Sequence, residues 1–211
     1  MIQSPKASAK HRDEAADTRK SGKARGRRQP LKATPEGLKR SALYYLERYD
    51  SSSGHLRRRL LEKIRVSAQI HGTDPEEGAA AVERLIARFT ELGLLDDARY
   101  ARERVRILLL RGTSAAMIRS RLRAKSLPAE LIDAALASDE NGGRDRELLA
   151  ALRYAKRRRL GPYRLKDRVE RRDRDLAVLG RQGFDYETSR RVIDCEDTEA
   201  LEAEVRAADP A

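Results

Sequence analysis

The chain alternates between short polar breaks and stretches whose apolar residues return every three or four positions, the spacing that gathers them on one face of an α-helix. After Pro35, Leu38, Ala42, Tyr45, Leu46 and Tyr49 make a first stripe. Asp50-Ser51-Ser52-Ser53-Gly54 interrupts it and offers caps for a second helix from about His55 to Ile70. Gly72-Thr73-Asp74-Pro75-Glu76 is the next break, with Asp74 as N-cap and Pro75 at the first helical position, where its missing N–H is tolerated. Val82, Leu85, Ile86, Phe89 and Leu92 form the third stripe, which stops at Gly93.

A second group of three follows. Ala98, Ala101, Val105, Leu108 and Leu109 run to Gly112; Thr113 or Ser114 caps a helix bearing Ile118 and Leu122. Pro128 and Glu130 open a short helix with Leu131, Ile132, Ala135 and Leu136. Beyond the Asn141-Gly142-Gly143 linker, Leu148, Leu152 and Ala155 mark a helix broken at Gly161-Pro162. Leu165, Val169, Leu176 and Leu179 predict a longer one with a very polar centre, and Asp185 caps a last helix with Val192 and Ile193 facing in. The pattern predicts an all-α fold, an elongated array of nine helices in three tandem three-helix repeats. Their expected limits are 35–95, 96–142 and 143–195, between a segment 1–34 and a tail 196–211.

Internal similarity supports repetition. Leu122 to Glu130 and Leu179 to Glu187 share one order: a helical Leu, a basic stretch, a small residue, an apolar residue, then a capping position with Glu two places on. Leu60-Leu61-Glu62-Lys63 is expected to begin a third, looser copy that an insertion interrupts. Tandem helical units build a binding surface more readily than a catalytic pocket.

Charge sharpens that expectation. The chain carries a formal +12 with 38% charged residues, 4% aromatic and no Trp. Residues 1–34 hold ten Lys or Arg against three acids and few large apolar side chains, which predicts a disordered basic arm. Residues 196–211 hold six acids against Arg206 and read as an acidic tail, so residues 35–195 keep a net +10. Such an excess calls for a polyanionic or acidic partner.

Catalytic chemistry finds no constellation to rest on. His11, His55 and His71 are far apart in sequence, and neither metal-ligand spacing nor a Gly-rich phosphate loop is present, so no catalytic residue, metal or cofactor is expected. Asp96-Asp97 reads as helix-start capping. Cys195 is the single cysteine, expected to be a small residue at a helix end in a reducing compartment. No segment has the ~18 apolar residues of a membrane span, and no secretory signal is seen, which predicts a cytoplasmic protein.

The candidate binding residues are basic clusters on first or second helices: Arg57, Arg58, Arg59 and Lys63; Arg119, Arg121, Arg123 and Lys125; Lys156, Arg157, Arg158 and Arg159; and Arg171 with Arg172. Their plainer reading is a solvated face with i,i+4 partners, for which Asp167 with Arg171 is spaced and Glu103 with Arg106 is too close. Phosphate backbones or an acidic protein groove are the natural counterparts of the set. So few aromatics argue against base stacking, and Tyr44, Tyr45 and Tyr49 are expected in the core and rim of the first repeat.

Gly93-Leu94-Leu95-Asp96-Asp97-Ala98-Arg99-Tyr100-Ala101 resembles the signature of the RecX family of bacterial regulators. Ala42-Leu43-Tyr44-Tyr45-Leu46, Arg111-Gly112 with Ile118 and Leu122, and Arg181-Gln182-Gly183-Phe184 resemble it in the same order, over residues 36–195. The chain is expected to be monomeric, and the resemblance implies tandem three-helix repeats and a non-enzymatic protein bound along the groove of the RecA–single-stranded-DNA filament. It further implies inhibition of ATP hydrolysis, strand exchange and co-protease activity. His55 before Leu56, where the family commonly has an acid, and the basic arm depart from its pattern. The alternatives are a general nucleic-acid-binding helical module, such as a helix-turn-helix-like transcriptional regulator, and a scaffold whose charge serves only solubility.

Overall fold

The computed structural model describes residues 30–138 and 143–207. Every regular element among them is helical, as the spacing predicts: ten α-helices and one 3-10 turn. Residues 1–29 of the expected arm, the Asn141-Gly142 part of the linker and residues 208–211 lie outside the described residues.

The first group comprises α1 (Pro35–Leu46), α2 (Ser53–His71) and α3 (Pro75–Glu91). Each start is fixed by a side chain that accepts an otherwise unpaired backbone N–H. Thr34 accepts from Gly37 at 3.1 Å, Ser52 from His55 at 3.2 Å and Asp74 from Glu76 at 2.8 Å. Leu56, Leu60, Ile64, Val82, Ile86 and Phe89 interlock between α2 and α3, with Leu38 and Ala42 of α1 covering them. The second group, α4 (Asp97–Leu110), α5 (Ala115–Arg123) and α6 (Ala129–Ala137), closes over Val105, Ile118, Leu122, Ile132 and Leu136. At about 1.5–3 kcal/mol per fully buried aliphatic side chain, each small cluster is the main force holding its three helices.

The third group departs from expectation. Helix α7 (Gly143–Arg158) is followed by the 3-10 turn Gly161–Tyr163, and α8 spans only Arg172–Arg181 before α9 (Tyr186–Ile193). The predicted longer helix through Leu165 and Val169 does not form. Leu165 is 90% and Val169 81% exposed, and Asp167 takes a left-handed φ of 56°. Charged residues surround both apolar positions, so the helical spacing there has no face to bury. A buried carboxylate organises the turn instead: Asp175, fully buried, accepts from Gly161 N at 2.8 Å and from Arg164 Nε and Nη2 at 2.6 and 2.7 Å. A tenth helix, α10 (Thr198–Ala207), lies where only an acidic tail is expected, and its Leu201 packs against the core of this group. Arg191 of α9 pairs with Glu204 of α10 at 3.0 Å.

The same joint links the groups twice. Ser52, the N-cap of α2, donates its hydroxyl to Lys125 O beyond α5 at 2.5 Å; Ser114, the N-cap of α5, donates to Gln182 O beyond α8 at 2.5 Å. Beside each, the next backbone N–H meets a carboxylate from the following group's first helix. Ser53 N donates to Asp97 Oδ1 at 2.7 Å and Ala115 N to Glu147 Oε1 at 2.6 Å. The residue after each acceptor carbonyl is left-handed, Ser126 at φ 60° and Gly183 at φ 86°. Gly72, at φ 64° and two residues before the Asp74 cap, holds the matching position in the first group. The third sequence copy is therefore centred on His71-Gly72-Thr73-Asp74 rather than begun at Leu60, and α2 is a longer helix without an insertion.

Because the serine hydroxyl both caps its own helix and ties down the next group, Ser114→Ala should cost about 1–2 kcal/mol in urea unfolding. A loss under about 0.3 kcal/mol would show that water replaces both bonds.

Candidate partner-binding surface

The basic clusters divide once their side chains are located. Arg57 turns to α3 and pairs with Glu83 at 2.8 Å, its Nε buried without a hydrogen-bond partner. Arg119 is held by Asp133 at 2.7 Å, and Arg172 grips Asp194 with two bonds of 2.7 Å. The Arg172 guanidinium in turn holds the Asp194 carboxyl below its ordinary range, against a smaller opposing effect of burial. Arg157 donates to Arg111 O and lies 5.3 Å from the Tyr154 ring. These residues are committed to intrachain contacts.

Two charged pairs differ from what their spacing predicts. Glu103 and Arg106 form a two-bond ion pair at 3.2 and 2.8 Å, because i,i+3 positions also share a helix face. Asp167 and Arg171 make instead a backbone bond, Arg171 N to Asp167 O at 3.1 Å, in the turn that precedes α8.

A different subset converges at the first joint. Arg58 donates to Ala124 O at 2.9 Å, which carries its guanidinium across to the end of α5, and its other contact is His55 Nδ1 at 3.1 Å. Burial and the positive charges of Lys125, Arg58 and Arg59 lower the His55 pKa, in that order. Three cations from two groups thus lie near one imidazole and disfavour its protonation. Arg59 lies over the Tyr45 ring at 4.5 Å, and Lys63, one helical turn further along α2, borders the same cleft. Of the remaining candidates, Arg121, Arg123, Lys125, Lys156, Arg158, Arg159 and Arg171 are exposed and have no side-chain hydrogen bond or ion pair within the described residues. They are available to a partner at little cost in fold stability.

Sequence reasoning placed the three tyrosines in the core and rim of the first repeat without dividing them. Tyr44 and Tyr49 are not core residues: they are 62% and 57% exposed, and only Tyr45 is half-buried. It also gave Asp96 and Asp97 one role, whereas Asp96 caps its own helix through Arg99 N at 2.9 Å and Asp97 caps α2 across the joint. The Ser53 hydroxyl adds a second bond to Asp97, at 2.6 Å. The signal was a carboxylate left over after the N-cap position was filled. Cys195 lies partly buried just after α9, its thiol donating to Asp197 O at 3.0 Å, and burial raises its pKa.

Among the described residues no group of His, Cys, Asp or Glu side chains could hold a metal ion, and no helix is long and apolar enough to cross a membrane. The surface offers exposed cations, some in ring contact, whose chemistry is the capture of phosphate or carboxylate.

Comparison with known proteins gives a consistent picture. A family model described as the second three-helix domain of RecX matches residues 96–136, which span α4 to α6. The chain is 37% identical over 184 residues to the regulatory protein RecX of Myxococcus xanthus, covering 86% of this chain and 97% of that protein. It is 32% identical over 167 residues to the regulatory protein RecX of Stenotrophomonas maltophilia, covering 78% and 88%. Against the regulatory protein RecX of Agrobacterium fabrum the identity is 29% over 154 residues, covering 72% and 79%. No solved structure matches the chain significantly.

Proposed function

Because the chain belongs to the RecX family of regulatory proteins, we propose that it is a non-enzymatic regulator of the RecA filament on single-stranded DNA. It inhibits the filament's ATP hydrolysis, strand exchange and co-protease activity and so modulates recombination and DNA repair from the cytoplasm, acting as a monomer. The observation that carries this reading is similarity over nearly the full length of a relative named as a regulatory protein. The exposed cations support it. Lys125, just beyond α5, stands near Arg58 and Arg59 of α2. Arg121 and Arg123 on α5 are exposed and without a side-chain hydrogen bond or ion pair within the described residues, so they can meet phosphates without first breaking a bond.

The test is the single-stranded-DNA-dependent ATPase rate of the cognate RecA, titrated with the full chain at fixed moderate salt. Inhibition below one protein per RecA protomer is the expected result. Inhibition only near saturation of the DNA would mean simple competition for phosphate. No inhibition, with tight binding to one duplex sequence, would favour a helix-turn-helix-like regulator.

The triple variant Arg121→Gln, Arg123→Gln, Lys125→Gln should fold normally and need at least about tenfold more protein for half-inhibition. Its salt slope for single-stranded DNA should fall by roughly two, at about 0.7 per lost phosphate contact. An unchanged titration and slope would remove these three residues from the binding surface.

A further inference from the structure

The chain is poor in aromatic residues, yet three of its seven tyrosines fall within six positions, at the end of α1 and just after it. In the structure they gather rather than scatter. Tyr45 and Tyr49 have ring centroids 5.1 Å apart, inclined at 33°, and the Tyr45 ring lies 6.3 Å from His55. The Arg48 guanidinium lies over the Tyr44 ring at 3.7 Å, and Arg59 covers Tyr45 at 4.5 Å. Between α1 and α2 these residues line an open cleft of about 240 Å³. Tyr44, Tyr45 and Tyr49 border one side, and Arg59 and Lys63 the other, over a floor of Leu56 and Leu60.

Exposure sets this cluster apart. The buried cores already account for the apolar faces of α1, and Tyr44 and Tyr49 contribute little to them. Glu47 sits 3.3 Å from Arg48 and offsets its charge. The positive side of the cleft is therefore Arg59 and Lys63, neither of which has an ion-pair partner among the described residues. One face of Tyr44 carries Arg48, yet Tyr44 is still 62% and Tyr49 57% exposed. Exposed rings beside unpaired cations are what a single-stranded nucleic acid requires: a planar surface for a base and a charge for the adjoining phosphate. A duplex keeps its bases stacked inside and leaves the rings unused. An acidic peptide would use the cations and leave the ring faces unused too.

We propose that the Tyr44, Tyr45 and Tyr49 cluster, with Arg59 and Lys63, is a nucleobase-stacking site for single-stranded DNA. It rests on the reading of this chain as a protein that meets single-stranded DNA, and adds a defined contact to the bases themselves. Tyr44 and Tyr49 take the base, and Arg59 with Lys63 takes the phosphate beside it. Stacking is indifferent to base identity, so the site grips the strand without selecting a sequence.

The experiment compares two fluorescein-labelled oligomers of equal length and charge, oligo-dT and an abasic deoxyribose phosphate, by anisotropy with the full chain at moderate salt. The wild type should bind oligo-dT more tightly than the abasic oligomer. Tyr44→Ala with Tyr49→Ala should weaken oligo-dT binding by on the order of tenfold and leave the abasic oligomer unchanged. Tyr44→Phe with Tyr49→Phe, which keeps the rings, should restore the preference. Matching helical circular dichroism of the variants secures the fold.

Equal binding of the two oligomers by the wild type overturns the stacking site, while inhibition of the RecA ATPase still stands or falls separately. A preference for oligo-dT that survives in the Ala variant overturns it also. Ala variants that lose ATPase inhibition yet keep the oligo-dT preference would make the cluster a protein-docking surface and refute stacking.

Discussion

Asp175→Asn is expected to destabilise the third group by about 2–3 kcal/mol, less than the full loss for a wholly buried ion pair because Arg164 is a quarter exposed. The carboxylate satisfies three donors at once, Gly161 N and two nitrogens of Arg164, at 2.6–2.8 Å. An amide offers one acceptor oxygen and turns a donor toward a guanidinium. Urea unfolding followed by far-ultraviolet circular dichroism measures the loss; a change below about 1 kcal/mol would mean that water enters and solvates Arg164.

The pH dependence carries a sign. Burial opposes ionisation of Asp175, but Arg164 and the Gly161 N–H outweigh it and hold the folded carboxyl below its ordinary value. Its contribution is therefore complete above the unfolded pKa of about 3.9 and is lost as pH falls through the folded one. The gap between wild type and variant should stay constant from neutral pH to about 5 and shrink on further acidification.

Gly112→Ala should separate the second group from the third. Gly112 has φ 69°, and an added Cβ would stand 2.6 Å from Tyr154 N and 2.7 Å from Ala150 O, both backbone atoms of α7. Helix α7 has little freedom to withdraw, because Arg153 donates to Leu109 O at 3.3 Å and Arg157 to Arg111 O close to the contact. A left-handed alanine costs roughly 1–2 kcal/mol and the overpacking about 1–3 kcal/mol more. Gly93→Ala is the matched control: φ is 68°, with nothing within 4 Å of the added atom. The difference between the two substitutions isolates the inter-group contact. Equal losses would show that α7 shifts freely, and a second unfolding transition in Gly112→Ala alone would show the groups uncoupled.

These residues also mark the limits of what one sequence conveys. Helix starts were legible wherever a capping side chain acts on its own turn, as at Asp74, Ser114 and Asp185, because that chemistry is local. Apolar stripes located the buried faces for the same reason. The joints were not legible: Asp97 reaches Ser53, 44 residues away, and Glu147 reaches Ala115, 32 away, so no short-range pattern encodes them. Spacing misled where burial failed to follow it, at Leu165 and Val169, and it did not say which of Tyr44, Tyr45 and Tyr49 would meet the core and which the rim. Among the basic candidates, sequence could not tell Arg57, turned toward Glu83, from Arg121, left free.

The joint between groups has a direction that matters while the chain is being made. In both copies the serine comes first and its acceptor later, by 73 residues for Ser52 and Lys125 and 68 for Ser114 and Gln182. At about 5–20 residues per second, each serine waits some ~4–15 s for the carbonyl that anchors its helix. During that interval the start of α2, with Arg57, Arg58 and Arg59 beside it, stands unanchored. The nascent protein therefore passes through stages in which its cations are displayed before their final spacing is set.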